Sequence, residues 1–336
     1  MLFHIWFSSS LYYLFLMPLS WLYGFIITFN RIIYQCGWRK IYKFSVPILV
    51  IGNLTIGGNG KTPMVLWLIE QLQIRGWKVG VVSRGYCGKS HAYPIVIDST
   101  SCSDECGDEP MLIWKRTRVP VVVSPKRAEA VSILLQTHRT LDIIISDDGL
   151  QHYALFRDIE WVIINNAFRF GNGYWLPAGP MRDRVNKLKT VQAVIVNGSD
   201  NKILQFGEIL MQLRPTIAIN LLTGKRKPLN SLNNVVAIAG IGFPNQFFIT
   251  LKKYGINPIK TIAFSDHHTY SENMLISLVK SNEVLLMTEK DAIKCLNFAH
   301  ENWWYVYIDV KISAMDTARL LYTVENTIRM YKSRLV

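Results

Sequence analysis

The sequence predicts an α/β fold: a mostly parallel sheet with helices on both faces, a second, smaller α/β lobe, and an N-terminal membrane-anchoring helix. Three observations lead to this prediction. Short apolar segments rich in β-branched residues alternate with helical stretches along the chain. A glycine-rich turn joins the first of these segments to a helix. No Lys, Arg, Asp or Glu occurs before Arg31, so the chain begins with an apolar segment.

The apolar segment at residues 5–29 is long enough for a helix that crosses a bilayer core, which takes about 20 residues. Arg31, Arg39, Lys40 and Lys43 follow it, and the positive-inside rule places that side in the cytoplasm. The start lacks a positive n-region and a small-residue cleavage site, so a cleaved signal peptide is not expected. Whether the helix spans the bilayer or lies in one leaflet stays open, and a helix buried within the protein is the alternative.

The composition and the net charge indicate which classes of molecule the protein binds. The chain has 336 residues, of which 50% are hydrophobic and 18% charged, and its formal net charge is +13. A basic protein suits nucleic acid, an anionic membrane surface or a phosphorylated substrate. The sequence contains no zinc finger, RNP signature or basic helix with heptads. We therefore expect no nucleic-acid partner and favour an anionic membrane surface.

The five cysteines indicate a reducing compartment. Their number is odd, and their spacing matches no disulfide framework. A metal site that begins at Cys102 and Cys106 is the less favoured alternative to free thiols.

A glycine-rich loop follows the apolar segment 48–51. The loop has the sequence TIGGNGKT at residues 55–62, and a helical stripe of apolar residues then runs to about Gly76. Strand, glycine loop and helix are the context that a phosphate-binding P-loop requires. Glycines let backbone N–H groups turn toward phosphate oxygens, and the helix presents its positive end to the same anion. The residues expected to bind ATP are Thr55, Ile56, Gly57, Gly58, Asn59, Gly60, Lys61 and Thr62.

Two side chains carry the chemistry of this loop. Lys61 can bridge the β- and γ-phosphates, and the Thr62 hydroxyl can bind Mg²⁺. Thr55 departs from the usual pattern, since it occupies the position of the first glycine of G-x-x-x-x-G-K-[ST]. A fortuitous glycine turn is the alternative, but the agreement of strand, loop and helix favours a P-loop NTPase-like core.

A second apolar strand, predicted at residues 143–146, ends in Asp147 and Asp148. Ligands of doubly wound sheets bind at the carboxyl ends of the strands, where a carboxylate can hold Mg²⁺ as in Walker-B sites. One of the two acids would bind the metal and the other would orient groups, and the sequence does not decide which. Gln151 and His152 follow closely enough to reach the same site. The alternative is a solvated Asp-Asp-Gly turn.

The rest of the chain continues the alternation. Further strands are predicted at 79–83, 119–124, 161–165, 193–197, 216–221, 235–239, 285–288 and 305–308, and helices at 128–136 and 245–254. The predicted units are an anchoring helix (1–30), a P-loop core (31–200) and a smaller C-terminal α/β lobe (201–336), with the boundary near residues 197–206. The segment GIGFP at 240–244 hints at a nucleotide-binding turn, but a turn that leads into a helix is favoured.

Seven motifs occur in order: GNLTIGGNGKTP at 52–63, SRGY at 83–86, GDEP at 107–110, DDGLQH at 147–152, LPAGPMRD at 176–183, FSDHHTY at 264–270 and TEKDAIK at 288–294. In order and content they resemble the tetraacyldisaccharide 4′-kinase family, the lipid A 4′-kinases of bacterial inner membranes. The likeness covers nearly the whole chain, and the family also carries Thr or a similar residue at the position of Thr55.

The resemblance implies ATP-dependent phosphorylation of the 4′-hydroxyl of a membrane-embedded, acylated glucosamine disaccharide 1-phosphate, on the cytoplasmic face of the bacterial inner membrane. The implied roles are a general base at Asp108 with His267 as its partner, metal binding at Thr62, Asp147 and Gln151, catalysis at Asp148, and stabilisation of phosphoryl charge by Arg182. The adjacent His268 leaves the identity of the partner histidine open.

Taken one by one, these residues have simpler interpretations. Asp108 could cap a helix at residues 109–115, and Arg182 could pair with Asp183. His267 and His268 could lie on a surface loop. The reaction itself favours the functional interpretation, because a sugar hydroxyl has a very high pKa and benefits from a carboxylate that accepts its proton. Since His267 and the P-loop belong to different predicted lobes, we expect closure of a cleft between them to complete the site.

Two other functions are compatible with a P-loop. One is a kinase of a soluble metabolite, which the anchoring segment disfavours. The other is a membrane-tethered ATPase or GTPase switch, because the start of TEKDAIK at 288–294 echoes the guanine-selecting N-K-x-D pattern.

Overall fold

The computed structural model describes residues 2–7, 11–90, 92–198, 204–205 and 207–334. In these ranges the chain forms ten α-helices and 13 strands. The helices are α1 (Leu2–Phe7), α2 (Tyr13–Gln35), α3 (Lys61–Ile74), α4 (Ser103–Cys106), α5 (Asp108–Thr117), α6 (Arg127–Thr137), α7 (Pro244–Lys253), α8 (Glu272–Ile276), α9 (Glu289–Cys295) and α10 (Ala314–Ser333). The strands are β1 (Ile48–Gly52), β2 (Val79–Ser83), β3 (Ile95–Val96), β4 (Val121–Val123), β5 (Ile143–Asp147), β6 (Ile159–Asn165), β7 (Ala193–Asn197), β8 (Glu208–Asn220), β9 (Arg226–Pro228), β10 (Val235–Ala239), β11 (Lys260–Ala263), β12 (Val284–Thr288) and β13 (Trp303–Lys311).

The strands form one continuous sheet in the order β11-β10-β12-β13-β8-β7-β6-β1-β5-β2-β4-β3, with β9 paired to β8. Neighbouring strands are parallel except at the β13–β8, β8–β9 and β3–β4 pairs. Helices cover both faces, since α3 and α10 pack on one side of β1 and α6 on the other. The predicted fold class is confirmed.

The central strand β1 shows why the predicted strands are apolar throughout. Leu49 and Ile51 lie in the hydrophobic cluster on the α3 side, whereas Ile48 and Val50 lie in the cluster on the α6 side. Successive side chains of a strand point to opposite faces. Because helices cover both faces, every residue of β1 is buried.

The strand β8 is the main departure from the predicted strands. It was predicted at residues 216–221 and is observed at Glu208–Asn220, whereas the ends of the other predicted strands differ by at most three residues. Pro215 interrupts its pattern, and proline usually marks the edge or end of a strand. Here the pairing with β13 shifts register next to Pro215: Ile308 pairs with Pro215 and Tyr307 with Ile217, which leaves Thr216 of β8 as the extra residue. A bulge there accommodates a residue that cannot donate an N–H bond.

We call the part of the sheet from β7 to β3 the larger lobe and the part from β11 to β13 the smaller lobe, and β8 connects the two. The first part of β8 pairs with β7 of the larger lobe, and its remainder pairs with β13 of the smaller lobe. The predicted boundary at 197–206 lies partly outside the described residues, so the division near residue 200 stays a prediction. The helix α10 falls within the range predicted for the smaller lobe, yet its Leu320 and Val324 pack in the same cluster as β1 and α3 of the larger lobe.

The helix α2 lies against the larger lobe with one face only. Ser20 and Gly24 are buried there, and the Ser20 hydroxyl donates to the Trp175 carbonyl oxygen at 2.8 Å. A Cβ on Gly24 would lie 1.8 Å from the Trp175 ring, so glycine permits this close contact. By length and mean hydropathy, α2 is the one helix in the described residues that could cross a membrane. Its exposed large apolar side chains are Leu14, Phe15, Leu19, Trp21, Leu22, Phe25, Ile26, Phe29 and Ile32.

Arg116 of α5 connects the two lobes through hydrogen bonds. Its Nε donates to Glu70 of α3 at 2.9 Å, and its Nη1 donates to Glu289 of α9 at 3.1 Å and to the Ile308 carbonyl oxygen at 3.0 Å. The side chain of Arg116 is only 8% exposed. Burial raises the pKa of Glu289 to about 7 against the opposing effect of Arg116. The carboxylate of Glu289 therefore depends on this arginine for its charge.

We expect Arg116→Ala to lower the free energy of unfolding by about 3–5 kcal/mol, because it leaves a buried carboxylate without its partner. Urea denaturation measures this change. The matched control is Arg139→Ala at an exposed site, which should shift stability by less than about 0.5 kcal/mol. Equal stability of the two variants would contradict the role given to Arg116.

Candidate active site

The P-loop leaves the carboxyl end of β1 and enters α3 at Gly60, whose φ of 93° favours glycine. Its shape is fixed by side-chain amides. The Asn59 amide donates to the Thr55 hydroxyl at 3.1 Å, and the Asn197 amide of β7 donates to the Asn59 carbonyl oxygen at 3.2 Å. Thr55 thus supplies a hydroxyl that a glycine could not, which explains the departure from the usual P-loop pattern in physical terms.

The smaller lobe covers part of this loop. The Phe243 ring lies so close to Gly57 that a Cβ there would be 3.1 Å away, and Gly57 has a φ of 118°. Phe243 also stacks on Phe168 of the larger lobe, with ring centroids 5.4 Å apart. The residue precedes α7, which begins at Pro244. The GIGFP segment therefore leads into a helix, and its phenylalanine contacts the P-loop from the other lobe.

The acidic pair lies beside the loop because β5 is parallel to β1 and pairs with it, with Ile51 opposite Asp147. Asp148 has a φ of 48° and accepts two hydrogen bonds from Arg182, at 2.7 and 3.0 Å. Lys61 lies 3.8 Å from the same carboxylate. Burial alone would raise the pKa of Asp148, but Lys61 and Arg182 hold it well below its usual range. Asp148 is therefore ionised.

Asp147 has a different environment. It is 1% exposed, and its Oδ1 has no hydrogen-bond partner among the described residues. Burial, with the charges of Glu109 and Asp148, raises the pKa of Asp147 to about 7. A buried carboxylate oxygen without a partner fits a cation ligand. The described residues contain no group of three or more His, Cys, Asp or Glu able to hold a metal, and a Mg²⁺ site of one carboxylate, phosphates and waters needs none.

Arg182 belongs to the segment 176–183, which is attached to the P-loop by a bridge between Met181 and Thr55. The Arg182 guanidinium bonds Asp148 and the side chain of Asn53. The simpler interpretation from the sequence was an ion pair between Arg182 and Asp183, and the described residues do not form this pair. Gln151 donates its side-chain amide to the Arg182 carbonyl oxygen at 3.2 Å, so its Oε1 is the atom that could reach a metal.

Asp108 and His267 meet across the two lobes, with His267 Nδ1 3.0 Å from Asp108 Oδ2. The helix α5 begins at Asp108, but the N-cap is Gly107 and no side chain caps it, so the capping alternative is not what the structure shows. His268 instead stacks on Phe264, with ring centroids 4.7 Å apart. The structure therefore places His267, and not His268, beside Asp108.

The segment TEKDAIK forms the start of α9. Thr288 caps the helix by accepting from the Asp291 N–H, and its hydroxyl donates to the Asp291 carboxylate at 2.6 Å. Asp291 is fully buried and also accepts from the Gly240 N–H and the Tyr270 hydroxyl. A guanine-selecting aspartate must face a base, whereas this one is bonded inside the smaller lobe. The aspartate that resembles part of a GTPase motif in sequence is therefore a structural residue of the smaller lobe.

Three basic residues near the site were not selected from the sequence. Arg127 is 2% exposed and donates from Nη2 to the Asp147 carbonyl oxygen at 3.2 Å. Burial lowers the pKa of Arg127 to about 10. Lys290 and Lys294 of α9 approach the Asp108–His267 pair. The sequence contained a reason to choose Arg127, because it follows β4, which ends at the same sheet edge as Asp147. For the two lysines, the only indication in the sequence was that they belong to the TEKDAIK motif.

Comparison with known proteins agrees with these motifs. Residues 12–328 match the family described as LpxK, tetraacyldisaccharide-1-P 4′-kinase. The tetraacyldisaccharide 4′-kinase of Blochmanniella pennsylvanica (strain BPEN) is 70% identical over 328 residues, covering 98% of this chain and 97% of that protein. The protein of the same name from Hamiltonella defensa subsp. Acyrthosiphon pisum (strain 5AT) is 51% identical over 321 residues, covering 96% and 97%.

A solved structure gives the same result. It is described as the "apo" form of LpxK from Aquifex aeolicus in complex with ATP, and it matches with a TM-score of 0.80 and 27% identity. The match covers 95% of this chain and 100% of that one. The resemblance inferred from the seven motifs is confirmed, and the chain belongs to the tetraacyldisaccharide-1-P 4′-kinase family.

Proposed function

We propose that the protein transfers the γ-phosphate of ATP to the 4′-hydroxyl of a membrane-embedded, acylated glucosamine disaccharide 1-phosphate. The products are ADP and a lipid IVA-type bisphosphate. The observation that carries this proposal is a P-loop whose Lys61 lies beside the Asp148–Arg182 pair. The Asp108–His267 pair lies next to Glu109, whose charge helps to raise the pKa of Asp147. The Aquifex aeolicus protein binds ATP in its solved structure, which supports ATP as the donor.

The loop holds the triphosphate. The positive end of α3 and the N–H groups around Gly57 and Gly60 face the phosphates, while Lys61 bridges the β- and γ-phosphates. Arg182 neutralises charge that spreads over the transferring group, and Asp148 holds the guanidinium in place through two hydrogen bonds. Asp148 thereby keeps both Lys61 and Arg182 at the phosphates.

Asp147 is the residue best suited to hold Mg²⁺, with Thr62 and Gln151 as further ligands. Mg²⁺ bound there would neutralise phosphate charge. Arg127, bonded to the Asp147 backbone, fixes the end of β5 from which this carboxylate projects.

Asp108 accepts the proton of the acceptor hydroxyl as it attacks the γ-phosphorus. Burial alone would raise the pKa of Asp108, but hydrogen bonding to His267 and the charges of Lys294 and Lys290 lower it. The carboxylate is therefore ionised at neutral pH. Since Asp108 lies in the larger lobe and His267 in the smaller, the base is assembled from both.

The helix α2 would bring the enzyme to its lipid substrate. Tyr13 stacks on Tyr174 near the start of the helix, and Tyr34 contacts Tyr153 near its end, with ring centroids 5.1 and 6.2 Å apart. Its middle packs on Trp175. The helix is thus held by the larger lobe along a length of about 35 Å. Crossing the bilayer would carry these partners into hydrocarbon, so we infer that α2 lies in one leaflet with its exposed apolar face in the lipid.

The basic residues after α2 fit an anionic surface. Arg39, Lys40 and Lys43 are exposed, and each such charge near an anionic membrane contributes about 1 kcal/mol to binding. We place the catalytic lobes on the cytoplasmic face of the inner membrane, where ATP is available. The exposed apolar face of α2 disfavours a kinase of a soluble metabolite. The burial of Asp291 disfavours a GTPase.

We expect Asp108→Asn to lower kcat by a factor of about 10² to 10⁴, the usual contribution of a general base. ATP affinity should stay unchanged, because Asp108 does not contact the P-loop in this mechanism. Transfer of labelled phosphate to the glycolipid and equilibrium binding of an ATP analogue measure the two effects. The matched control is Glu105→Gln, an exposed acid on the preceding helix. A loss confined to ATP binding would give Asp108 a different role.

We expect Mg²⁺-dependent ATP binding to strengthen as pH rises from 6 to 8. With its pKa at about 7, Asp147 is about one-tenth ionised at pH 6, so Mg²⁺ affinity should be about 10-fold lower than at pH 8. Titration calorimetry with and without Mg²⁺ measures this. Asp147→Asn should reduce the pH dependence to that of the terminal phosphate of the nucleotide, which itself titrates near this range, whereas Asp309→Asn at an exposed site should retain all of it. A pH dependence as steep in Asp147→Asn as in the unaltered protein would exclude Asp147 as the ligand.

We expect the combined changes Phe15→Ser, Leu22→Ser and Phe25→Ser to release the protein from vesicles that contain anionic lipid. Their side chains are 82%, 55% and 65% exposed, so the fold should persist. Each buried apolar side chain contributes about 1.5–3 kcal/mol, so binding should fall by about 10³-fold or more. Cosedimentation measures it, with Met315→Ser on α10 as control. Sedimentation equal to that of the unaltered protein would refute the lipid-facing surface.

A further inference from the structure

Two lysines of α9 approach the Asp108–His267 pair from the smaller lobe. Lys290 and Lys294 are four residues apart, so they lie on one face of the helix, one turn from each other. Their side chains are 17% and 7% exposed. Both belong to the TEKDAIK motif, whose aspartate is a structural residue of the smaller lobe. The lysines are the part of that motif that faces the other lobe.

Lys290 lies against the side of His267 that faces away from Asp108. Its Nζ is 3.2 Å from His267 Nε2, while Asp108 Oδ2 is 3.0 Å from Nδ1. An ammonium group only donates hydrogen bonds, and a carboxylate only accepts them. Both neighbours therefore select the same tautomer, with the proton on Nδ1 and the lone pair on Nε2. Asp266, the other acid near Nε2, is 3.8 Å away and is itself paired with Lys290.

Lys294 lies between two carboxylates of different lobes. Its Nζ is 3.5 Å from Asp108 Oδ2 and 3.5 Å from Asp291 Oδ1, and it donates to the His268 carbonyl oxygen at 3.0 Å. Asp291 is held by Thr288 and other bonds inside the smaller lobe. The position of Lys294 is therefore set by the smaller lobe, while its charge also acts on the base in the larger one.

We propose that Lys290 and Lys294 are positioning residues for the base: Lys290 keeps the proton of His267 on Nδ1, and Lys294 holds Asp108 in the orientation that His267 requires. This inference rests on the proposed function and deepens it. The contacts with His267 and Lys294 both go to Oδ2 of Asp108. We assign Oδ1 to the proton of the acceptor hydroxyl.

Nitrogen-15 NMR of histidine-labelled, full-length protein in detergent tests the tautomer directly. Comparison with His267→Gln identifies the resonances of His267. We expect a protonated Nδ1 and an unprotonated Nε2 in the unaltered protein, and a mixture that includes protonated Nε2 in Lys290→Met. Lys290→Arg retains a cationic donor and should retain the tautomer. Lys253→Met, at an exposed site of the same lobe, should leave the spectrum unchanged.

Steady-state kinetics supply the second measurement. Lys290→Met should lower kcat by about 10- to 100-fold, the cost of losing a partner that fixes a histidine tautomer. The KM for ATP should change by less than about twofold, because the substitution removes no contact that binds ATP equally in the ground state and the transition state. Lys290→Arg should recover most of the rate. Lys294→Met should lower kcat in the same range while His267 keeps its tautomer.

Several outcomes would overturn the proposal. A proton on Nε2 of His267 in the unaltered protein refutes the proposal. This measurement needs no variant, so the proposal can be tested even if Lys290→Met folds poorly. An unchanged tautomer in Lys290→Met refutes the role of Lys290, and an unchanged kcat in Lys294→Met refutes that of Lys294. The spectra need no turnover. A protein that fails to phosphorylate the glycolipid would therefore count against the proposed function while the tautomer is judged separately.

Discussion

The parallel pairing of β1 with β5 is the constraint on which the site depends. It sets Ile51 opposite Asp147, so the P-loop and the acidic pair leave the sheet side by side. A nucleotide's phosphates and a cation have opposite charge and must be bound within a few ångströms, which this arrangement provides. The two acids then differ through their neighbours. Asp148 is ionised between Lys61 and Arg182, whereas Asp147 forms no ion pair with the described residues and burial raises its pKa.

The second feature of the molecule is that the Asp108–His267 pair, the proposed base, is divided between the lobes. A continuous sheet through β8 and β13 connects them, and Arg116 adds a buried ion pair between α5 and α9. Buried charges are costly to desolvate, so such pairs contribute less to stability than to a defined arrangement. The Asp108–His267 contact is supported by the neighbouring charges of Lys290 and Lys294 and by the Tyr86 ring, which packs edge-on against His267. Motion of one lobe would change the geometry of the base together with that of the P-loop cover formed by Phe243.

The membrane helix is part of the same arrangement. Gly24 and Ser20 allow α2 to pack closely on Trp175, which directly precedes the segment 176–183 that contains Arg182. The Tyr23 hydroxyl also donates to the Arg182 carbonyl oxygen at 3.5 Å. The apolar helix α2 and Arg182, the residue proposed to bind the transferring phosphate, are thus structurally linked. A substrate drawn from one leaflet would meet the site along this face of the larger lobe.

The sequence by itself determined the α/β class, ten of the 13 strands (all but β3, β9 and β11), the P-loop, the acidic pair and the family, because local periodicity and ordered motifs carry that information. It could not determine that α10 returns to the larger lobe, that β8 extends through Pro215, or that Asp148 pairs with Arg182 rather than Arg182 with Asp183. It also left His267 and His268 equivalent, and gave no reason to choose Lys290 or Lys294. These are contacts between residues far apart in the chain, and only the packing of the two lobes decides which distant charges face each other.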